Sequence, residues 1–130
     1  MEVQTKRVYE APAAADGTRI LIDRLWPRGI SREEARIDGW ERELAPSREL
    51  RIWFSHQPER FAQFRLSYIE ELRRQRPRLS ALRARARAGA LTLLYGARDR
   101  DRNNAVVLAE VLRRGLPRGS AGSAWAEAPR

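Results

Sequence analysis

Apolar residues recur in two rhythms along the chain. At Ile20-Leu-Ile22 and Leu91-Thr-Leu-Leu-Tyr95 they run almost unbroken, as strands covered on both faces require. Val3 to Tyr9 alternates more weakly, with Val3, Thr5 and Arg7 set against Gln4, Lys6 and Val8, and reads as a first strand. Elsewhere the spacing is helical. Phe61, Phe64, Tyr68 and Leu72, with Ile69 beside them, mark an amphipathic helix of about four turns. Leu50, Trp53 and Phe54 share one face of a shorter helix, and Val107, Val111, Leu108 and Leu112 form the apolar face of a later one.

Boundary signals divide these runs. Ser31-Arg-Glu-Glu34 has capping-box spacing and predicts a short helix. Asp38 is placed to cap a second helix carrying Trp40 and Leu44 and ending before Pro46. Ser47 caps a third, Arg48 to Ser55; Pro58 suits the first turn of the aromatic helix. Pro77 opens another helix running to about Ala88, with Gly89 as its left-handed stop. Gly96 to Arg102 is a charged loop before the helix Asn103 to Arg114. The alternation predicts an α/β fold: one compact domain over residues 1–115, with a small, largely parallel sheet flanked by helices. Three core strands are visible, and a fourth is left open. Residues 116–130, rich in Pro, Gly, Ser and Ala around an isolated Trp125, read as a flexible tail.

Composition narrows the chemistry. The chain has 130 residues, enough for one domain with a real core. It has no cysteine, which excludes thiolate catalysis, disulfides and thiolate-held metal. Its single histidine, His56, rules out a multi-histidine metal centre; carboxylates holding a hard cation such as magnesium stay open, and the cofactor is left unknown. The amino terminus lacks the apolar core of a signal peptide, and no apolar run approaches ~18 residues, so a soluble cytoplasmic chain without membrane contact is expected. A net charge of +9, carried by 25 arginines and one lysine, invites polyanions or a phosphorylated small ligand. Arginine in place of lysine also fits GC-rich codon usage, so the charge alone decides little.

Parallel strands bring the loops after Ile22 and Tyr95 to one sheet edge, where open α/β sheets build their sites. That edge would gather Asp23, Arg24, Trp26 and Arg28 with Tyr95, Arg98, Asp99, Asn103 and Asn104, the asparagines at a helix amino terminus that favours an anion. Arg24 and Arg28 would hold a phosphate or carboxylate, on a nucleotide or phosphorylated metabolite for example. Asp23 or Asp99 would act as base or orient a hydroxyl, and His56 would join them if it reached the cleft. Each residue also has a plain structural role available: Asp23 in an ion pair, Asp99 or Asp101 as helix cap, the asparagines closing a turn, and Trp26, Trp40 and Trp53 in the core. Seven arginines between Arg73 and Arg87 form a second positive surface and make nucleic acid an alternative partner, although no nucleic-acid motif accompanies them. No dinucleotide fingerprint, P-loop or nucleophile elbow occurs. Oligomeric state is not readable from these patterns.

Asp23-Arg-Leu-Trp-Pro-Arg-Gly29, Ala45-Pro-Ser47, Trp53-Phe54 with His56, and Leu93-Leu-Tyr95 followed by Asp99 and Asn103-Asn-Ala105 resemble the YeaO-like family, small bacterial proteins classed as a domain of unknown function. The likeness runs from about Lys6 to Leu112. It implies a compact α/β domain in a cytoplasmic protein and no established activity, substrate or cofactor. The family usually has a histidine where this chain has Arg102, and an acid where it has Gln57. These departures weigh against histidine-based catalysis and favour Asp23, Arg24, Arg28, Asp99, Asn103 and Asn104.

Overall fold

Four strands, all parallel, lie in the order β1-β4-β2-β3: β1 Val3–Arg7, β2 Thr18–Leu21, β3 Gly39–Trp40 and β4 Leu91–Tyr95. The computed structural model describes residues 1–118; of the tail expected at 116–130, Leu116 packs against the core, and residues 119–130 lie outside the described residues. Every side chain of β4 is buried, which explains its near-continuous apolar run and its place inside the sheet. β1 carries Lys6 and Arg7 and takes an edge, where charged side chains still reach solvent.

The two-residue strand period sorts the core onto two faces. Ile20, Ile22, Leu91, Leu93 and Tyr95 meet the helices α2 Arg48–Phe54, α3 Phe61–Leu72, α4 Arg76–Ala88 and α5 Asn104–Arg114. Leu21 and Leu94 face the opposite way, into a smaller cluster with Val8 and Ala35, the last residue of the one-turn helix α1 Arg32–Ala35. Trp26 and Trp40 pack against this cluster with ring centroids 5.4 Å apart, edge to face, so both are structural before anything else. Buried Arg19 is compensated here: its guanidinium pairs with Asp16 at 2.5 Å and donates to the carbonyls of Ala35 at 2.6 Å and Arg36 at 3.1 Å.

Most caps fall where the spacing places them. Ser31 and Glu34 form the reciprocal capping box, and Ser47 accepts from the Leu50 amide. Three expectations are corrected. Asp38 caps no helix: its carboxylate accepts the Arg19 amide at 2.7 Å, and the residues behind it become β3 and a single 3₁₀ turn, Arg42–Leu44. Trp40 is therefore a strand residue, selected by pairing with Leu21 over its local helical context. Gly89 ends α4 in an extended conformation, φ 174°, and is not a left-handed stop. Asn103, not Asp99 or Asp101, caps α5, its side-chain oxygen accepting the Val106 amide at 3.0 Å.

Gly17 fixes the start of β2. Its φ is +63°, and a Cβ there would lie 2.2 Å from the Ala90 carbonyl oxygen, which accepts the Thr18 amide. Gly29, at φ +77°, closes the Asp-Arg-Leu-Trp-Pro-Arg loop with no atom near its missing Cβ. Gly17→Ala should cost about 2 kcal/mol or more, by overpacking added to backbone strain, whereas Gly29→Ala should cost roughly 1 kcal/mol. Urea unfolding of both variants checks the order; equal losses would mean that the Ala90 contact yields easily.

Candidate functional site

The carboxyl edge of the sheet holds a cavity of about 410 Å³. The loop after β2 supplies Asp23, Arg24, Leu25, Trp26, Pro27 and Arg28, and the segment after β4 supplies Gly96, Ala97, Arg102, Asn103 and Asn104. Tyr9 comes from beyond β1, Pro46 from the loop before α2, Arg51, Phe54 and His56 from α2 and its exit, and Phe64 from α3. This placement follows from parallel strands, whose carboxyl ends share one edge.

Asp23 is the structural centre of the edge. One carboxylate oxygen accepts the Gly96 amide at 2.8 Å, and the other accepts the Asn104 side-chain amide at 3.1 Å. Asn104 also donates to the Ile22 carbonyl at 3.0 Å, while the Trp40 indole donates to the Asp23 carbonyl at 2.7 Å. One residue thus ties together the ends of β2, β3 and β4 and the start of α5. Burial lifts the Asp23 carboxyl above its ordinary value, against the hydrogen bonds from Asn104 and Gly96 and the nearby charges of Arg51 and His56.

Of the other expected site residues, Arg24, Trp26, Arg28, His56, Asn103 and Asn104 line the cavity, and Asp99 does not. Arg24 spends much of its guanidinium on the carbonyls of Pro46 and Ala45, both at 3.2 Å, and so fixes the turn before α2. Arg28 is exposed and its side chain has no ion-pair or hydrogen-bond partner among the described residues; Tyr9 holds its carbonyl at 2.7 Å. His56 is exposed, and Ser55 and His56 both adopt left-handed backbone, φ 46° and 56°, so that α2 ends abruptly at the rim. Trp26 touches the cavity with its indole anchored on the Ile30 carbonyl at 2.8 Å. Asn103 is buried as a cap and also donates to the Asp99 carbonyl at 2.9 Å. Asp99 does not line the cavity: it accepts the amides of Asp101 and Arg102, and the Asp101 amide above all holds its carboxyl below the ordinary value.

Arg51 is the residue that the spacing did not single out. At 100° per residue it sits on the flank of α2, between the buried line of Leu50 and Phe54 and the exposed Ile52. Its Nε is buried without a hydrogen-bond partner among the described residues. An available signal was the inversion in Leu50-Arg-Ile-Trp-Phe54, where isoleucine takes the solvent face and arginine the shoulder of the apolar face. Arg102 joins it in the cavity, with its guanidinium 3.5 Å from Asp99. Among the described residues, no three His, Asp or Glu side chains gather closely enough to hold a metal ion.

The raised Asp23 carboxyl has a pH consequence. The folded state keeps this proton to higher pH than the unfolded chain, so the group favours folding most below the unfolded carboxylate range. That contribution fades as pH rises through the folded value. The stability of wild type minus that of Asp23→Asn, from urea unfolding across pH 3 to 8, should therefore fall with rising pH and then level. A difference that grows with pH would mean that the hydrogen bonds outweigh burial.

Residues 2–129 match the family model described as the inactive DUF488-N3 subclade. The "Uncharacterized protein YeaO" of Escherichia coli (strain K12) is 43% identical over 113 residues, which cover 87% of this chain and 98% of that protein. The "Uncharacterized protein Rv3073c" of Mycobacterium tuberculosis (strain ATCC 25618 / H37Rv) is 42% identical over 110 residues, covering 85% of this chain and 92% of the relative. No solved structure matches the chain. The resemblance seen in the Asp23-to-Gly29 string thus extends over nearly the whole chain, which belongs to the YeaO-like family, within the inactive DUF488-N3 subclade.

Proposed function

We propose that the strand-end cavity binds a small anion, a phosphate or carboxylate group carried on a larger molecule. The observation that carries this reading is Arg51: a cationic side chain lining the cavity, with a buried donor that has no acceptor in the described chain. Buried donors are nearly always satisfied, and leaving one unmet costs about 1–3 kcal/mol, so an acceptor arriving from outside is favoured there. Arg28, Arg102 and His56 line the same space, and Asp23 is its single acid. The amino-terminal end of α5, with its partial positive charge, opens at this edge through Asn104.

Binding is a better reading than turnover. Asp23 is engaged by two donors as a structural clamp, Asn103 is spent on its cap, and Asp99 builds a turn away from the cavity. The description of the subclade as inactive supports the same view. A second reading, a nucleic-acid surface on α4, is favoured by one observation: the stretch 73–87 holds seven arginines and no acid.

Titration calorimetry with pyrophosphate separates these readings. Arg51→Gln should weaken binding about 10- to 100-fold, the worth of a charge-assisted hydrogen bond. Its unliganded melting temperature should not fall far, because relief of the unpartnered donor offsets the lost attraction to Asp23. Arg28→Ala should weaken binding without unfolding the protein. Lowered stability with unchanged pyrophosphate affinity would make Arg51 a structural residue. Binding lost only on replacing Arg85 and Arg87 would move the function to α4.

A further inference from the structure

Two of the four large apolar side chains left exposed on the described surface, Tyr9 at 40% and Leu25 at 60%, line the same cavity as Arg51. Single exposed apolar residues need no explanation, but two at the mouth of one cationic cavity do. Deeper in, the cavity is lined by Phe54 and Phe64, stacked with centroids 4.4 Å apart and both buried. An inorganic anion would gain nothing from these rings and would be desolvated against them.

The Asp23 carboxylate adds a third feature. It offers about four acceptor positions, of which the Gly96 amide and Asn104 occupy two. The remaining positions suit a hydroxyl donor, and a second anion placed there would be repelled. The cavity therefore presents cations, an acceptor for hydroxyls and an apolar, partly aromatic wall. Its volume of about 410 Å³ falls within the range of small-molecule sites, about 300–1,000 Å³.

We infer that the cavity is a nucleoside monophosphate site, in which Arg51 and Arg28 take the phosphate, Asp23 accepts from a sugar hydroxyl, and Tyr9 and Leu25 cover the base. The inference rests on the anion reading above and adds the organic body to it. The anion end fixes affinity through charge. The apolar mouth distinguishes a nucleotide from a bare phosphate.

The test is a titration of the full chain with AMP, ribose 5-phosphate and orthophosphate, by calorimetry at moderate salt, repeated with Leu25→Ser. AMP should bind at least tenfold more tightly than ribose 5-phosphate. Leu25→Ser should erase about three- to tenfold of that advantage, the scale of a partly buried leucine, while leaving ribose 5-phosphate affinity unchanged. Leu25 is exposed, so the variant folds, and its melting temperature verifies this. Equal affinity for AMP and ribose 5-phosphate would overturn the nucleotide assignment and leave the anion reading standing. Failure of all three probes to bind would remove both. AMP binding that ignores Leu25→Ser but disappears in Arg85→Ala/Arg87→Ala would place the nucleotide on α4 and also overturn the inference.

Discussion

The edge of this fold depends on one carboxylate. Asp23 follows β2 and accepts hydrogen bonds from the backbone beyond β4 and from the first residue of α5, while its own carbonyl receives the Trp40 indole from β3. Parallel strands give the loops a common edge; Asp23 holds those loops at fixed separation. Gly96 must approach closely for this, since a Cβ there would lie 3.1 Å from the Asp23 carboxylate. The strain of keeping a charge in such a place appears as a carboxyl lifted by burial. What stands around it, Arg24 against the Ala45 and Pro46 carbonyls and Asn103 on the α5 amides, is chiefly the framework of a cavity.

That distinction between framework and lining separates the residues of the Asp-Arg-Leu-Trp-Pro-Arg-Gly string. Asp23, Arg24 and Trp26 are tied down by hydrogen bonds, while Leu25 and Arg28 are exposed. Loops that carry function commonly combine both, because a binding group needs a rigid mount. Among the described residues, the Arg51 Nε is the one buried side-chain donor lining the cavity that has no hydrogen-bond partner, which is why it stands out.

Much of the fold was legible because its long elements obey one period each. β4, α3 and α5 appear where their apolar spacing puts them, and Ser31 and Ser47 cap where local chemistry demands. The strand at Trp40 is not legible in the sequence because two residues have no period of their own; pairing with Ile20 and Leu21 across the sheet decides it. The conformation of Gly89 is not legible either, because an extended exit satisfies the end of α4 as well as a left-handed one. The sheet-edge cluster was foreseeable from parallel strands, but Arg51 was hidden. Whether a flanking arginine faces water or a cavity depends on what α3 and the β2 loop place opposite it, and no local pattern carries that.

The proposed binding of an anion beside Arg51 in the strand-end cavity is tested most directly by a crystal structure with a heavy anion in place of phosphate. Crystals grown with tungstate should show an anomalous peak inside the cavity, within hydrogen-bond reach of the Arg51 guanidinium and occupied at tungstate concentrations well below those that decorate surface arginines. Peaks confined to the arginines of α4, with none in the cavity, would contradict it.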